Sequence, residues 1–311
     1  GKENFFITGE ITDSSIAPGY IDLFGGNLDA VLGIIAYPNL LSSLVKGQQA
    51  PSDFFRLYDE HVTGGTFRQQ GRYIVSVMDD HDMSSRSHKE RFAAHGVAPV
   101  VFLQTAHVMG VQLTTPGMPS IYYGTEQAFD GTEDYHDYSI EPKRFAEDRY
   151  IREGMFGGAF GAFGTSGCHF FDPDHPTYRR IAAIARLRNG KEAVGRALRR
   201  GRLVPRETAF LGYPFAIPPQ GELVAWSMMH YETEVVMALN THATASRGAE
   251  VTIDASKHPD GSTLTILYQS DWSEEELRNP PADRTVLAKH QPDGRATVRL
   301  DLAPAGMVIL A

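Results

Sequence analysis

The chain has 311 residues, of which 42% are hydrophobic and 22% charged, with a formal net charge of −9. That length favours about two domains, and the acidic balance argues against nucleic-acid binding, which needs a basic face. No apolar stretch reaches the roughly 20 residues that span a bilayer, and the single cysteine, Cys168, excludes an intrachain disulfide or a cysteine metal cluster.

In chain order, Phe5-Phe6-Ile7-Thr8-Gly9-Glu10 reads as a short strand ending in a glycine and a carboxylate. A weakly marked strand follows at Leu28 to Leu32, then a helix around Asn39 to Lys46. Tyr73 to Met78 is a nearly continuous apolar run, which suits a strand buried on both faces. It is followed at once by Asp79-Asp80-His81-Asp82. A parallel strand delivers catalytic groups at its C-terminal end, although an Asp-rich turn also caps helices. Helices are expected after Asp82 and from Pro99, the latter buried. A Pro/Gly turn at Pro116-Gly117 then feeds a strand at Ser120 to Tyr123 that again ends in glycine and a carboxylate, Gly124-Thr125-Glu126. This alternation predicts a parallel α/β arrangement.

The stretch from Ala128 to Gly167 reads as a long Gly-rich loop, either a surface excursion or a groove wall with Phe129, Tyr135 or Tyr138 as stacking surfaces. A helix from about Pro176 stops at Asn189-Gly190. Beyond Lys191, short alternating runs at Leu223 to Met229, Glu234 to Leu239, Glu250 to Ile253, Thr263 to Tyr268, Ala296 to Leu302 and Met307 to Leu310 predict an antiparallel β-sandwich. Its aromatic residues Trp226, Tyr231 and Trp272 suit core or edge packing better than sugar stacking. The predicted domains are residues 1–190 and 191–311.

The three strand-then-acid segments, in this order, resemble the alpha-amylase family, glycoside hydrolase family 13. Phe6 to Glu10 is similar to the fifth strand of the family's (β/α)8 barrel, Val77 to Asp82 to the seventh with its Asn-His-Asp signature, and Pro116 to Glu126 to the eighth. Here Asp80 replaces the usual Asn, and Arg86 sits one position late. The resemblance implies a partial (β/α)8 TIM barrel, about strands 5 to 8, followed by the family's C-terminal β-domain. It implies Glu10 as general acid/base, Asp82 as transition-state stabiliser, and His81, Asp80, Tyr123 and Tyr135 as substrate-binding residues. The family's nucleophile lies at the end of the fourth strand, before the acid/base glutamate, and only nine residues precede Glu10.

A retaining glycosidase needs a second carboxyl roughly 5–5.5 Å from the acid, so a chain without the nucleophile is expected to be inactive alone. The expected partners are an α-glucan and either a missing N-terminal half or a second copy that covers the open barrel edges. No cofactor is required, and the family's structural calcium is not supported by these residues. Two other classes remain open. One is a non-catalytic glycan-binding or scaffold protein of amylase fold. The other is a metal-dependent phosphohydrolase using Asp79, Asp80, His81, Asp82 and His88.

Overall fold

The computed structural model describes residues 5–10, 28–34, 36–59, 74–83, 90–131, 151–155, 171–210, 212–220 and 222–311. Its first sheet is parallel and four-stranded, in the order β1 (Thr8–Gly9), β2 (Ala30–Gly33), β3 (Ile74–Val77), β4 (Met118–Ser120). Thr8 pairs with Ala30, Val31 with Ile74, and Val75 with Met118. All four strands therefore run the same way and end on the same side, which places Glu10, Asp79 and Tyr122 along one rim.

β1 is shorter than the sequence suggests. Among the described residues it has β2 alone as a neighbour, and Phe5, Phe6 and Ile7 lead into it exposed. The Asp29 side chain accepts from the Ile7 N–H at 2.8 Å and fixes the entry of the strand. The space left by the missing side chain of Gly9 is met by Leu28, whose Cδ1 lies 3.0 Å from where a Cβ would stand. β4 begins two residues earlier than expected, at Met118, so Ile121 to Tyr123 already belong to the turn beyond it.

Helices α1 (Ala36–Val45) and α2 (Pro51–Phe55) follow β2. Pro51 opens α2, the position where a missing N–H costs nothing. Helix α3 (Val100–Leu113) is apolar nearly all round and is buried along most of its length, as such a pattern requires. Its Gln112 donates to the carbonyls of Ser76 on β3, at 2.5 Å, and Ser120 on β4, at 3.0 Å. The helix thus ties two strand ends together from behind. Of the helix expected directly after Asp82, residues 84–89 lie outside the described residues, and residues 92–95 form a turn.

Helix α4 (Pro176–Asn189) has the predicted start and stop, with His175 Nδ1 accepting from the Thr177 N–H. A further amphipathic helix, α5 (Ala193–Arg200), follows it. From Arg202 the chain is antiparallel: β5 (Arg202–Arg206), β6 (Thr208–Ala209), β7 (Leu223–His230), β8 (Thr233–Asn240), β9 (Arg247–Ile253), β10 (Thr263–Gln269), β11 (Thr285–His290), β12 (Ala296–Leu302) and β13 (Met307–Leu310). A short helix α6 (Glu274–Arg278) with a Ser273/Glu276 capping box interrupts β10 and β11.

The expected sandwich is one continuous sheet, ordered β5-β7-β8-β13-β10-β11-β12-β9-β6, that curls until β7 and β9 approach each other. Strand alternation explains both of its faces. Leu223, Ala225, Val236, Ala238, Val251 and Val298 fill the inside of the curl. Val224, Trp226, Met228, Val235, Met237 and Met307 turn the other way and pack on α3, α4 and α5. Trp226 and Trp272 are therefore core residues, whereas Tyr231, at the β7–β8 turn, is 81% exposed.

Candidate functional site

β3 carries Asp79 to Asp82 into the rim two residues after its last pairing, at Val77, and the side chains have separate tasks. Asp79 is buried; its Oδ1 accepts from the Phe92 N–H at 2.8 Å and its Oδ2 from the Thr125 hydroxyl at 3.1 Å. It joins the turn after β3 to the turn after β4. Asp80 Oδ1 accepts from the backbone N–H groups of Asp82 and Met83, at 2.6 and 2.5 Å. A side-chain oxygen bonded two and three residues on is how Asp or Asn stabilises a tight turn. Asn at this position offers the same carbonyl oxygen, so the Asn-to-Asp departure leaves the turn intact.

The turn presents His81 and Asp82 outward. His81 Nε2 lies 3.2 Å from Asp82 Oδ2, and Arg152 Nη2 lies 2.8 Å from Asp82 Oδ1. Arg152 Nε also donates to the His81 carbonyl at 2.9 Å. Asp82 Oδ1 is thus held by the Arg152 guanidinium, with the His81 ring beside Oδ2.

Glu10, Asp79, Asp80, His81 and Asp82 line one cavity of about 160 Å³ together with Leu32, Ile34, Val77, Ser120 and Tyr122. The expected members from β1 and β3 are thus brought together, with an apolar floor from β2 and β3. Tyr123 stands apart from these residues. It lies in a separate groove with Ile121, Glu126, Tyr178, Ile181 and Ala182, and Tyr122 takes the place in the cavity. Both tyrosines lie in the turn beyond β4, so which of them enters the cavity is set by the fold of that turn rather than by strand alternation. Phe129 is buried beneath the turn and offers no stacking surface. Tyr135, Tyr138, Arg86, His88 and Cys168 lie outside the described residues. No group of three or more His, Cys, Asp or Glu residues is placed to hold a metal ion among the described residues, and no described helix is long and apolar enough to cross a membrane.

Sequence reasoning missed Arg91, Arg152 and Glu153. Arg91 is one of the largest fully buried side chains, and its guanidinium lies 4.6 Å from the Tyr122 ring centroid and 5.4 Å from those of Tyr123 and Phe129. Burial pushes the Tyr122 phenol up, and its contact with Tyr123 adds to the shift, so the phenol stays a neutral donor and acceptor in the cavity. Burial raises the Glu153 carboxyl as well, opposed by Arg91.

A parallel β/α sheet that gathers carboxylates at the C-terminal ends of its strands, followed by a curled antiparallel sheet, defines part of a (β/α)8 barrel with its C-terminal β-domain. No family model matches the chain. Over 98% of its length it is 23% identical to an alpha-amylase from Streptomyces lividans, and it spans 31% of that relative. Among solved structures, a gamma-CGTase from alkalophilic Bacillus clarkii superposes with a TM-score of 0.61 at 15% identity, over 99% of this chain and 36% of the other. An Anoxybacillus alpha-amylase gives a TM-score of 0.58 at 20% identity, over 99% and 53%. The resemblance to the alpha-amylase family therefore runs through the whole chain and concerns the C-terminal portion of such proteins.

Proposed function

We propose that the cavity is the acid/base half of a retaining, amylase-type α-glycoside hydrolase site for α-linked glucans. The observation that carries this reading is the convergence of Glu10 with Asp80, His81 and Asp82 in one cavity at the ends of adjacent parallel strands. Glu10 gives its proton to the leaving oxygen; Asp82 and His81 hold sugar hydroxyls as positive charge develops at the anomeric carbon, with Asp80 setting their turn.

A nucleophilic carboxylate is still needed. Asp79 is bonded to two partners inside the fold, Asp80 is turned onto the backbone and Asp82 is paired with Arg152. These engagements set aside the three described aspartates as nucleophile, and on this reading the nucleophile is supplied from outside this chain, which alone is then inactive. The cavity volume agrees, because about 160 Å³ is one wall of a groove rather than a pocket of the usual 300–1,000 Å³. We assign the other wall to further β/α units beside β1 and β4, which end the sheet among the described residues, in a protein divided near residue 190. Tyr135 is kept as a contact to sugar on this reading. A non-catalytic glycan-binding role is the second reading, favoured by the ion pair that already occupies Asp82 Oδ1.

The test is a starch and maltoheptaose hydrolysis assay of the 311-residue chain beside calorimetric binding of maltoheptaose. Binding that Asp82→Asn weakens, without turnover, is the expected result. Turnover by the chain alone overturns the external nucleophile, and absence of binding overturns the glucan assignment.

A further inference from the structure

Beneath the rim lies a charged pair that the chemistry above does not use. The side chains of Arg91 and Glu153 are 0% and 1% exposed. Nε and Nη2 of Arg91 donate to Glu153 Oε2 at 2.9 and 2.6 Å, Nη1 to the Tyr123 carbonyl at 2.7 Å and Nη2 to the Ile151 carbonyl at 3.2 Å. Glu153 Oε1 accepts from the Gly131 N–H at 3.0 Å. One pair thus gathers the segment after the Asp-rich turn, the turn after β4, and residues 151–153.

A fully buried ion pair is a poor source of stability, since desolvation offsets most of the attraction and apolar replacements of equal volume are often neutral. What it supplies here is one fixed arrangement. Ile151 and Glu153 point inward and are buried, while Arg152 between them points out and meets Asp82 and the His81 carbonyl. The Arg152–Asp82 pair is itself 45% and 38% exposed, and exposed pairs contribute about 0–1 kcal/mol. That is too little to hold a loop segment in place. The buried residues around Arg152 hold the segment, Met155 against Phe129 and Glu153 through the pair with Arg91, and Glu153 is the one next door that is tied by ionic hydrogen bonds.

We propose that Glu153 is a positioning residue: through its buried pair with Arg91 it sets the 151–155 segment so that Arg152 orients the Asp82 carboxylate before a ligand arrives. Its purpose rests on the reading of Asp82 as a sugar-holding group. Preorganisation of this kind requires a supporting shell locked by packing and hydrogen bonds.

The experiment observes the Arg152 Nε–H by ¹H–¹⁵N NMR in the full chain, the signal being assigned by its loss in Arg152→Lys. Glu153→Gln is expected to speed its solvent exchange by roughly tenfold or more, the worth of a charge-assisted hydrogen bond. Should Glu153→Gln fail to fold, the paired replacement Arg91→Met with Glu153→Leu removes both buried charges and keeps their volume; a folded protein with an unprotected Arg152 signal supports the proposal. A lowered melting temperature with the Arg152 signal still protected, in either variant, overturns it and leaves the pair a structural element only. Maltoheptaose, titrated into the native chain in the same spectra, tests the glucan reading separately. Its failure to perturb signals of the Asp82 turn overturns that reading without altering the Arg152 result.

Discussion

The indole N–H of Trp226, in β7 of the antiparallel sheet, donates to the carbonyl of Thr114 at the C-terminal end of α3, at 3.2 Å. Thr114 is four residues before β4, so a residue of the curled sheet is fastened to the element that delivers Tyr122 to the cavity. One hydrophobic core, containing Trp226, Phe55, Met109, Ile184 and Met307, runs across both sheets' helices. Trp226→Phe loses a hydrogen bond and part of a fully buried ring, and is expected to cost about 2 kcal/mol. Chemical denaturation followed by far-UV circular dichroism measures it, with both sheets lost in one transition.

Two carboxylates three residues apart are expected to behave in opposite ways. Asp79→Ala leaves the Phe92 N–H and the Thr125 hydroxyl without their acceptor in a buried place, at a cost of about 2–4 kcal/mol. Asp82→Asn, on the exposed rim, should change stability by under about 1 kcal/mol and act on maltoheptaose binding. Melting curves beside calorimetric titration of the two variants separate these effects.

His107 gives the fold a pH dependence. Its Nδ1 lies 2.6 Å from the Ala305 carbonyl and its Nε2 2.9 Å from the Tyr268 hydroxyl, and the ring is fully buried. Burial lowers its pKa from 6.5 to about 3; the bond to Ala305 opposes the shift and the charge of Arg180 adds to it. Between about 3 and 6.5 the unfolded chain binds a proton that the native one refuses. Stability therefore falls as pH drops through that window, with a limiting slope of about 1.4 kcal/mol per pH unit. His107→Gln should flatten this part of the profile, read as denaturation midpoints from pH 4 to 7.

Gly124 has no room for a side chain. It has φ +83°, and a Cβ would stand 2.3 Å from the Phe129 ring. Gly124→Ala combines the left-handed penalty with overpacking and is expected to cost about 2–4 kcal/mol. It should also displace Tyr122, which near-UV circular dichroism detects.

Much of the architecture could be read from the order of residues. Ile74 to Val77, Ala30 to Gly33 and the helices opened by Val100 and Pro176 follow from apolar run length, periodicity and Pro/Gly punctuation, which act over a few neighbouring residues. The strand β5 carries Pro205, a residue that breaks a central strand, yet among the described residues it pairs with β7 alone, where a missing N–H is tolerated. β6, with two residues, carries no period to detect.

The same division holds at the site. The sequence alone determined that an acid-rich turn would stand at the end of a buried strand, since a run of apolar residues followed by Asp79-Asp80-His81-Asp82 is a local pattern. Only the tertiary structure decided which acids are internal and which face a ligand: Asp79 is claimed by Phe92 and Thr125, Asp82 by Arg152, and Tyr122 rather than Tyr123 enters the cavity. Those choices depend on partners 13 to 70 residues away in the chain. A hydrogen bond between such distant groups exists only once the sheets and helices have packed, and no periodicity along the chain encodes it.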